Sequence, residues 1–407
     1  MTTAASGHGP LYLDACATTP PAAAVLEAMA SAAATAWANP SSLHGFGLAA
    51  AELLERSRLG IASSLGCDPE ALVFTSGGTE SIHTALLGAA APLPSGRLLI
   101  SAVEHPATLA AAAALERRGW QVAVLPVDRL GRIDLTALES LLEPPTRLVS
   151  VIWGQSEVGT VQPIEAIGRR CRQAGVALHV DAVQVVGHRG VAFNRLPIDL
   201  LSCAAHKLQG PRGVGALLVR PDLPFVPLIG GGGQEGGRRG GTEAVALVAG
   251  FARALELCDA RLAAHGGTDP VAALRDGLLR RLLDLPGLRL SGPDPLGGPA
   301  ASDDRLPHHI SLLISDTAGA PLSGRRLVPM LWRQGVAASS GSACSSGGGP
   351  APSPVLQAMG LTQAEAASGL RLSLGPWLQA ADLESVPEAL MRSRAALAQA
   401  DGRASSR

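Results

Sequence analysis

The predicted architecture follows from two segments, His179-Val180-Asp181-Ala182-Val183-Gln184 and Ser202-Cys203-Ala204-Ala205-His206-Lys207. In each, a short apolar run leads into polar residues, which is typical of a strand covered on both faces of a parallel sheet. The polar residues follow the carboxyl ends of the strands, and in an open α/β sheet that edge forms the ligand crevice. Four side chains are therefore expected to converge there: Asp181, Gln184, His206 and Lys207.

The pairing of a lysine with a carboxylate predicts a cofactor. A lysine amine can hold an aldehyde cofactor as a Schiff base, and a carboxylate beside a pyridinium nitrogen keeps that nitrogen protonated so that the ring accepts electrons. Lys207 and Asp181 fit these roles, which indicates a site for pyridoxal 5'-phosphate (PLP). Either residue alone is ordinary, because lone lysines are usually solvated and aspartates commonly cap helices.

Composition narrows the class of protein. The chain has 407 residues, 47% of them hydrophobic, which suffices for two domains with a large core. A net charge of −1 and the absence of a Lys/Arg-rich block argue against nucleic-acid binding. No apolar run reaches the roughly 18 residues of a membrane span, and the first residues lack a leader pattern. We expect a cytoplasmic enzyme acting on a small substrate, with no membrane partner.

The six cysteines are scattered without a C-x-x-C pair. This spacing suggests neither a metal site nor a disulfide framework.

Strand-like and helix-like segments alternate from about residue 70 to 220, which predicts a large doubly wound α/β domain with a mainly parallel, seven-stranded sheet. A long helical pattern ends near residue 264 and is followed by a flexible segment. We place the large domain at 15–264. A smaller α+β domain is expected from 1–14 and 265–407, which mix helices, short strands and loops rich in Pro, Gly and Ser.

Two motifs extend the predicted site. Phe74-Thr75-Ser76-Gly77-Gly78-Thr79-Glu80 follows a strand and opens a helix, so its backbone N–H groups can approach an anion such as a phosphate. A glycine-rich turn without a ligand is the alternative. His105 follows another strand and is expected at the same sheet edge, where it can stack on a pyridine ring and exchange protons.

Two residues late in the chain point to the reaction. Cys344 lies among small residues in Ser339–Gly349, and a catalytic thiol needs such an accessible, movable position. A linker with an incidental thiol is the alternative. Arg371 lies among apolar residues and needs an anionic partner, which is either a substrate carboxylate or an internal ion pair.

Together these segments resemble the NifS/IscS-like (group I) cysteine desulfurases, which are fold-type I PLP-dependent transferases of the class V aminotransferase family. The resemblance extends from Tyr12-Leu13-Asp14 to Arg371-Leu372-Ser373-Leu374-Gly375. It rests on an ordered set of motifs: Thr75-Ser76-Gly77-Gly78-Thr79-Glu80-Ser81, Glu104-His105, His179-Val180-Asp181-Ala182, His206-Lys207, Gly233-Gln234-Glu235, Arg239-Gly240-Gly241-Thr242 and Gly341-Ser342-Ala343-Cys344.

The resemblance implies a role for each cofactor-binding residue. Lys207 would form the Schiff base, Asp181 would face the pyridinium nitrogen, and Gln184 would contact the ring hydroxyl. His105 would stack on the ring. The phosphate would be held by the remaining members of the set: Gly78, Thr79, His206 and, from the other subunit of a homodimer, Thr242.

The resemblance also implies which residues bind the substrate and receive its sulfur. Arg371, helped by Asn39, would bind the carboxylate of L-cysteine, and Cys344 would take its sulfur as a persulfide while L-alanine is released. The sulfur would then pass to an acceptor protein, such as an iron–sulfur scaffold or a tRNA-thiolation relay.

Two departures from the family pattern keep other functions open. Ser156 stands where an asparagine usually contacts the cofactor or substrate, and Ala204 replaces a common phosphate-binding serine. A PLP-dependent lyase acting on cystine or selenocysteine would not need Cys344. A degenerate paralogue would serve as a binding scaffold without catalysis.

Overall fold

The structure is a computed structural model that describes residues 9–297, 303–341 and 352–405. Its strands are β1 (Leu11–Tyr12), β2 (Leu72–Thr75), β3 (Arg97–Ser101), β4 (Gln121–Leu125), β5 (Thr146–Ile152), β6 (Ala177–Asp181), β7 (Leu200–Ala204), β8 (Gly215–Val219), β9 (Leu288–Leu290), β10 (His309–Ile314), β11 (Val336–Ala337) and β12 (Gly369–Ser373). Its helices are α1 (Ala23–Thr35), α2 (Gly45–Leu65), α3 (Gly78–Ala90), α4 (Pro106–Glu116), α5 (Leu135–Leu141), α6 (Ile164–Gln173), α7 (Val245–Ala264), α8 (Val271–Leu283), α9 (Gly324–Arg333), α10 (Pro354–Ala358), α11 (Gln363–Ala366) and α12 (Val386–Ser405).

A seven-stranded sheet in the order β2-β8-β7-β6-β5-β3-β4 forms the centre of the larger part. The pairs among β7, β6, β5, β3 and β4 are parallel, whereas β8 runs antiparallel to both of its neighbours. The reversal has a local cause, because the short 205–214 connection cannot make the long crossover that a parallel partner requires. The expected doubly wound, mainly parallel seven-stranded sheet is confirmed.

Helices cover this sheet on both faces, which explains the continuous apolar runs in its strands. Leu201 packs in one core with residues of α1, α2 and α7, whereas its neighbour Leu200 packs in a second core with residues of α3 and α4. Successive side chains of a strand point to opposite faces. A strand buried on both sides must therefore be apolar at nearly every position.

The smaller part has its own core. An antiparallel sheet in the order β12-β10-β9 packs with α8, α9 and α12, and the parallel pair β1-β11 joins the N-terminal segment to it. Leu13 is fully buried in this core. The division of the chain into 15–264 and the remainder stays a prediction.

The N-terminal segment also ties the two parts together. The backbone N–H of Cys16 donates to Oγ of Ser373 at the end of β12, and Oγ1 of Thr19 donates to the carbonyl of His206 beside the large sheet. Within the described ranges, no helix is long and apolar enough to cross a membrane.

Candidate active site

A cavity of about 540 Å³ opens between the carboxyl edge of the large sheet and the end of β12. Most of the side chains that the sequence singled out line it: Gly78, Thr79, His105, Ser156, Asp181, Gln184, His206, Lys207 and Arg371. They come from separate segments of the chain, so the fold assembles the cavity.

Lys207 ends a short 3₁₀ turn, Ala205–Lys207, that directly follows β7. Its Nζ donates hydrogen bonds to the backbone carbonyls of Cys16 (2.5 Å) and Ala17 (2.8 Å). Burial lowers the pKa of this amine, which favours the neutral, nucleophilic form. Lys207 is also the only lysine in the sequence. The chain therefore has a single side chain able to form a Schiff base with an aldehyde cofactor.

Asp181 is the last residue of β6 and is almost fully buried. Its Oδ1 accepts a hydrogen bond from the backbone N–H of Val183 at 3.0 Å. Burial raises the pKa of Asp181 to about 6, although that N–H and the charge of Lys207 both favour ionisation. A buried carboxylate of this kind is stabilised by a cationic group placed beside it.

Two histidines at the cavity are held in the neutral form. His105 caps α4, and its Nδ1 accepts from the N–H of Ala107 at 3.1 Å, so the ring hydrogen lies on Nε2. Burial, reinforced by Lys207, lowers the pKa of His105. The same causes, together with Arg212, lower the pKa of His206 to about 4.

The glycine-rich turn before α3 gives an open helix N-terminus on the cavity. Gly77 has φ +146°, a conformation that side chains other than glycine rarely adopt, and the first helix-type bond runs from the N–H of Ser81 to the carbonyl of Gly77. The preceding N–H groups have no acceptor within the helix. A Cβ at Gly78 would lie 2.9 Å from Val183 Cγ2, so only glycine keeps this approach open.

Arg371 lies on the opposite side of the cavity, in β12. Its Nη2 donates to Asp14 Oδ1 at 2.7 Å, and its Nη1 donates to the carbonyl of Ser156 at 3.0 Å. Of the two alternatives for its anionic partner, the structure shows the internal ion pair, and Arg371 also lines the cavity.

Three of the predicted site residues are not among those lining the cavity. Asn39 instead accepts a hydrogen bond from the N–H of Ser41, and Thr242 lies in the segment before α7. Cys344 lies outside the described residues. Gly341 and Pro352, the described residues on either side of 342–351, both line the cavity.

Sequence reasoning missed three buried residues at the cavity. Burial raises the pKa of Glu104 to about 8 and that of Glu157 to about 7. Cys16 supplies one of the two carbonyls that hold Lys207, and its Sγ lies 3.3 Å from Nε2 of His308. Each glutamate is next in sequence to a residue that was singled out, and Cys16 lies two residues after Tyr12-Leu13-Asp14, where the resemblance to the family begins. Proximity in the sequence was therefore the available signal.

The residues that line the cavity fit PLP. Lys207 supplies the amine, the N-terminus of α3 offers free N–H groups for a phosphate, and the buried carboxylate of Asp181 calls for a cation. Ala204 and Ile82 contribute apolar surface to the same cavity. The donor set therefore matches the three functional parts of this cofactor.

Comparison with known proteins agrees with this chemistry. Residues 11–386 match the class-V aminotransferase family. The chain is 41% identical to a cysteine desulfurase of Cereibacter sphaeroides over 384 residues (93% of this chain, 94% of the relative). It is 37% identical to the cysteine desulfurase IscS of Dictyoglomus turgidum over 385 residues, 94% of each chain.

A solved structure of a NifS-like protein superposes with a TM-score of 0.84 at 31% identity, covering 96% of this chain and 99% of the other. The chain therefore belongs to the class-V aminotransferase family and, within it, to the NifS/IscS-like cysteine desulfurases.

Proposed function

We propose that this protein is a PLP-dependent cysteine desulfurase that converts L-cysteine to L-alanine and passes the sulfur, as a persulfide, to an acceptor. The observation that carries the proposal is that one cavity joins an amine, a buried carboxylate and a buried arginine: Lys207, Asp181 and Arg371. The first two suit a cofactor, and the third suits the carboxylate of an amino acid.

The sheet edge would hold the cofactor. Lys207 would bind its aldehyde carbon, Asp181 would pair with its ring nitrogen, and the N-terminus of α3 would bind its phosphate, with Gly78, Thr79 and His206 around it. The neutral ring of His105, which caps the N-terminus of α4, would lie against the cofactor ring. When bound, PLP supplies an electron sink that stabilises negative charge at the substrate Cα.

Lys207 would then act as the proton carrier at Cα. Burial lowers its pKa, which increases the share of neutral amine that can accept a proton once Lys207 is released from the cofactor. The carbonyls of Cys16 and Ala17 accept hydrogen bonds from this amine and would orient it in either protonation state.

Arg371 would orient the substrate through its carboxylate. The guanidinium is already fixed by Asp14 and by the carbonyl of Ser156, so it needs little reordering when a carboxylate arrives. Ser156, which replaces an asparagine in the family pattern, would contact the cofactor or substrate, and Asn39 would assist Arg371.

Cys344 would receive the sulfur. Its thiolate would attack the sulfur of L-cysteine, an S–S bond would form, and the Cβ–S bond would break. A proton added at Cβ completes L-alanine. The overall change, L-cysteine plus the Cys344 thiol giving L-alanine plus a Cys344 persulfide, balances without an external oxidant.

The sulfur mechanism is tested by anaerobic turnover of L-cysteine by the wild type and by Cys344→Ser. We expect the variant to lose alanine formation by about 10³-fold, because no thiol remains to accept sulfur. Cys67→Ser, which alters a buried thiol away from the cavity, is the matched control. Equal release of sulfide and alanine by wild type and Cys344→Ser would show that no persulfide forms there, and cystine should then be tried as substrate.

We also propose a homodimer. Thr242 does not line the cavity of its own chain, and a second copy would bring it to the phosphate. Large apolar side chains are exposed around the start of α2, where Trp37, Leu43 and Phe46 are 67%, 92% and 63% exposed. Such a patch is a candidate for the contact between copies. The sulfur acceptor would be a separate protein, such as an iron–sulfur scaffold or a tRNA-thiolation relay.

A further inference from the structure

Cys16 lies in a turn between the smaller core and the cavity, and both polar groups of its backbone are engaged. Its N–H donates to Oγ of Ser373 at 2.9 Å, at the end of β12. Its carbonyl accepts from Nζ of Lys207 at 2.5 Å and from Nε2 of Gln184 at 2.9 Å, both at the edge of the large sheet. One residue therefore joins the smaller part of the chain to the amine that would hold the cofactor.

The side chain of Cys16 has a separate partner. Its Sγ lies 3.3 Å from Nε2 of His308, and the two residues are almost fully buried, at 2% and 1% exposed. Burial raises the pKa of the Cys16 thiol and lowers the pKa of His308 well below its ordinary value. A neutral thiol thus meets a neutral imidazole, and in either tautomer of the ring one of the two atoms can donate and the other can accept.

The ring of His308 is held in place by a stack. The rings of His308 and His188 lie with their centroids 3.8 Å apart and their planes at 17°. Nδ1 of His188 lies 2.7 Å from Oδ2 of Asp269, a buried carboxylate that also accepts from Nη2 of Arg261 at 3.3 Å. The imidazole beside the thiol is therefore supported by a stack that ends on a buried ion pair.

The position of the Cys16 carbonyl affects the pKa of Lys207, because a hydrogen bond to a carbonyl favours the ammonium form of an amine. Burial lowers this pKa. The charged groups near the amine are Arg371, which lowers the pKa further, and three acidic groups, which raise it: Cys16, Asp181 and Asp14. His105 and His206 also line the cavity, but their lowered pKa values leave both rings neutral.

We propose that Cys16 and His308 act as a pair of positioning residues for Lys207. His308 fixes the thiol, the thiol fixes the turn, and the carbonyl of Cys16 fixes the amine at the cavity. The inference rests on the proposed function in one respect, because it takes Lys207 as the Schiff-base amine. It assigns neither side chain a contact with substrate or cofactor.

The first experiment measures the amine directly in the cofactor-free full chain. Lys207 is the only lysine, so the rate of its acetylation by acetic anhydride at each pH, read by mass spectrometry of its peptide, follows its neutral fraction. Cys16→Ala should lower the midpoint pH of this profile by about 0.5–1 pH unit, because a loosened carbonyl stabilises the ammonium form less. His308→Phe, which keeps a ring against His188 but no ring nitrogen, should lower it by a similar amount.

The double variant tests whether the two side chains act through one contact. Its midpoint should lie within about 0.3 pH unit of that of Cys16→Ala, since groups that act through a shared contact are not additive. Cys171→Ala is the matched control, because it removes an equally buried thiol, 1% exposed, from α6 and should leave the midpoint unchanged. An unchanged or raised midpoint in the single variants, additive falls in the double variant, or an equal fall in the control would overturn the inference.

Cys16→Ser keeps the test decisive if the alanine variant does not fold. A hydroxyl group can replace the thiol in the contact with His308, so the midpoint should stay within about 0.2 pH unit of that of the wild type. A serine variant whose midpoint falls as far as that of His308→Phe would contradict the inference.

The second experiment follows turnover of L-cysteine by the PLP-loaded wild type and by PLP-loaded Cys16→Ala. The variant should have a kcat about three- to tenfold lower at unchanged KM, because a misplaced proton carrier slows the chemical step without weakening substrate binding. A raised KM at constant kcat contradicts the inference. Failure of the wild type to form alanine would instead contradict the proposed function, and the acetylation profile would still report on the amine.

Discussion

The two sides of the cavity differ in the groups that they present to a ligand. At the sheet edge, Lys207 donates to two carbonyls and Asp181 accepts from a backbone N–H. On the opposite side, Arg371 donates to Asp14 and to the carbonyl of Ser156. The sheet edge thus presents an amine and a carboxylate, whereas the opposite side presents a guanidinium group.

The difference follows from how each side is built. Asp181 and Lys207 sit at the ends of adjacent parallel strands, inside a sheet that is covered on both faces. Arg371 and Ser156 come from distant parts of the chain and meet through a single hydrogen bond. The sheet edge fixes Asp181 and Lys207 through a single sheet, whereas Arg371 is fixed by contacts with two separate segments of the chain.

The largest expected effect comes from removing the amine at the sheet edge. Lys207→Ala should lower turnover of L-cysteine by about 10³-fold or more, because the variant lacks both the Schiff-base amine and the proton carrier. No other lysine exists to take over these roles. Alanine formation by the PLP-loaded protein measures the effect.

Lys207→Arg is the control, since it keeps a cation but cannot form a Schiff base and should be equally inactive. Activity within about tenfold of the wild type in either variant would show that the sheet edge does not carry the chemistry.

A second change tests the free-energy cost of burying the Asp181 carboxylate at the sheet edge in the cofactor-free protein. The pKa of Asp181 is raised from 3.8 to about 6 in the folded chain, so the folded state binds more protons than the unfolded state between these values. The free energy of unfolding should therefore fall as pH rises through this window. At pH values above this window, Asp181→Asn, which cannot ionise, should be more stable than the wild type by up to about 3 kcal/mol.

The advantage of Asp181→Asn should vanish below about pH 3, where the wild-type carboxyl group is protonated in both states. Denaturant unfolding across the pH range measures it. A variant that is no more stable than the wild type at about pH 8 would mean that Asp181 is not destabilised by burial.

The smallest expected effect is on the opposite side. Arg371→Lys should lower kcat/KM for L-cysteine by about ten- to a hundredfold, mainly through KM, because an ammonium group cannot replace the fork of donors that binds a carboxylate. Arg289→Lys, at an exposed surface pair, is the control. A fall in kcat at constant KM would place Arg371 in the chemical step instead of substrate binding.

The sequence predicted the sheet edge better than the opposite side. The apolar runs before Asp181 and His206 predicted two strands, which are β6 and β7 in the structure, and the rule for parallel sheets brought Asp181 and Lys207 together. The need of Arg371 for an anion was also foreseen. Its partner Asp14 was not, because nothing in the pattern links positions so far apart in the chain. Glu157 resembled an ordinary acidic residue until its burial was known.

The isolation of Lys207 has a practical consequence. The chain has one lysine, and that residue is half-buried at the cavity, where its amine donates to the carbonyls of Cys16 and Ala17. Lys207 is therefore the one side-chain amine with which an aldehyde can condense. Borohydride trapping of the cofactor would therefore count occupied sites directly, one per chain, free of the background labelling that surface lysines cause in most proteins.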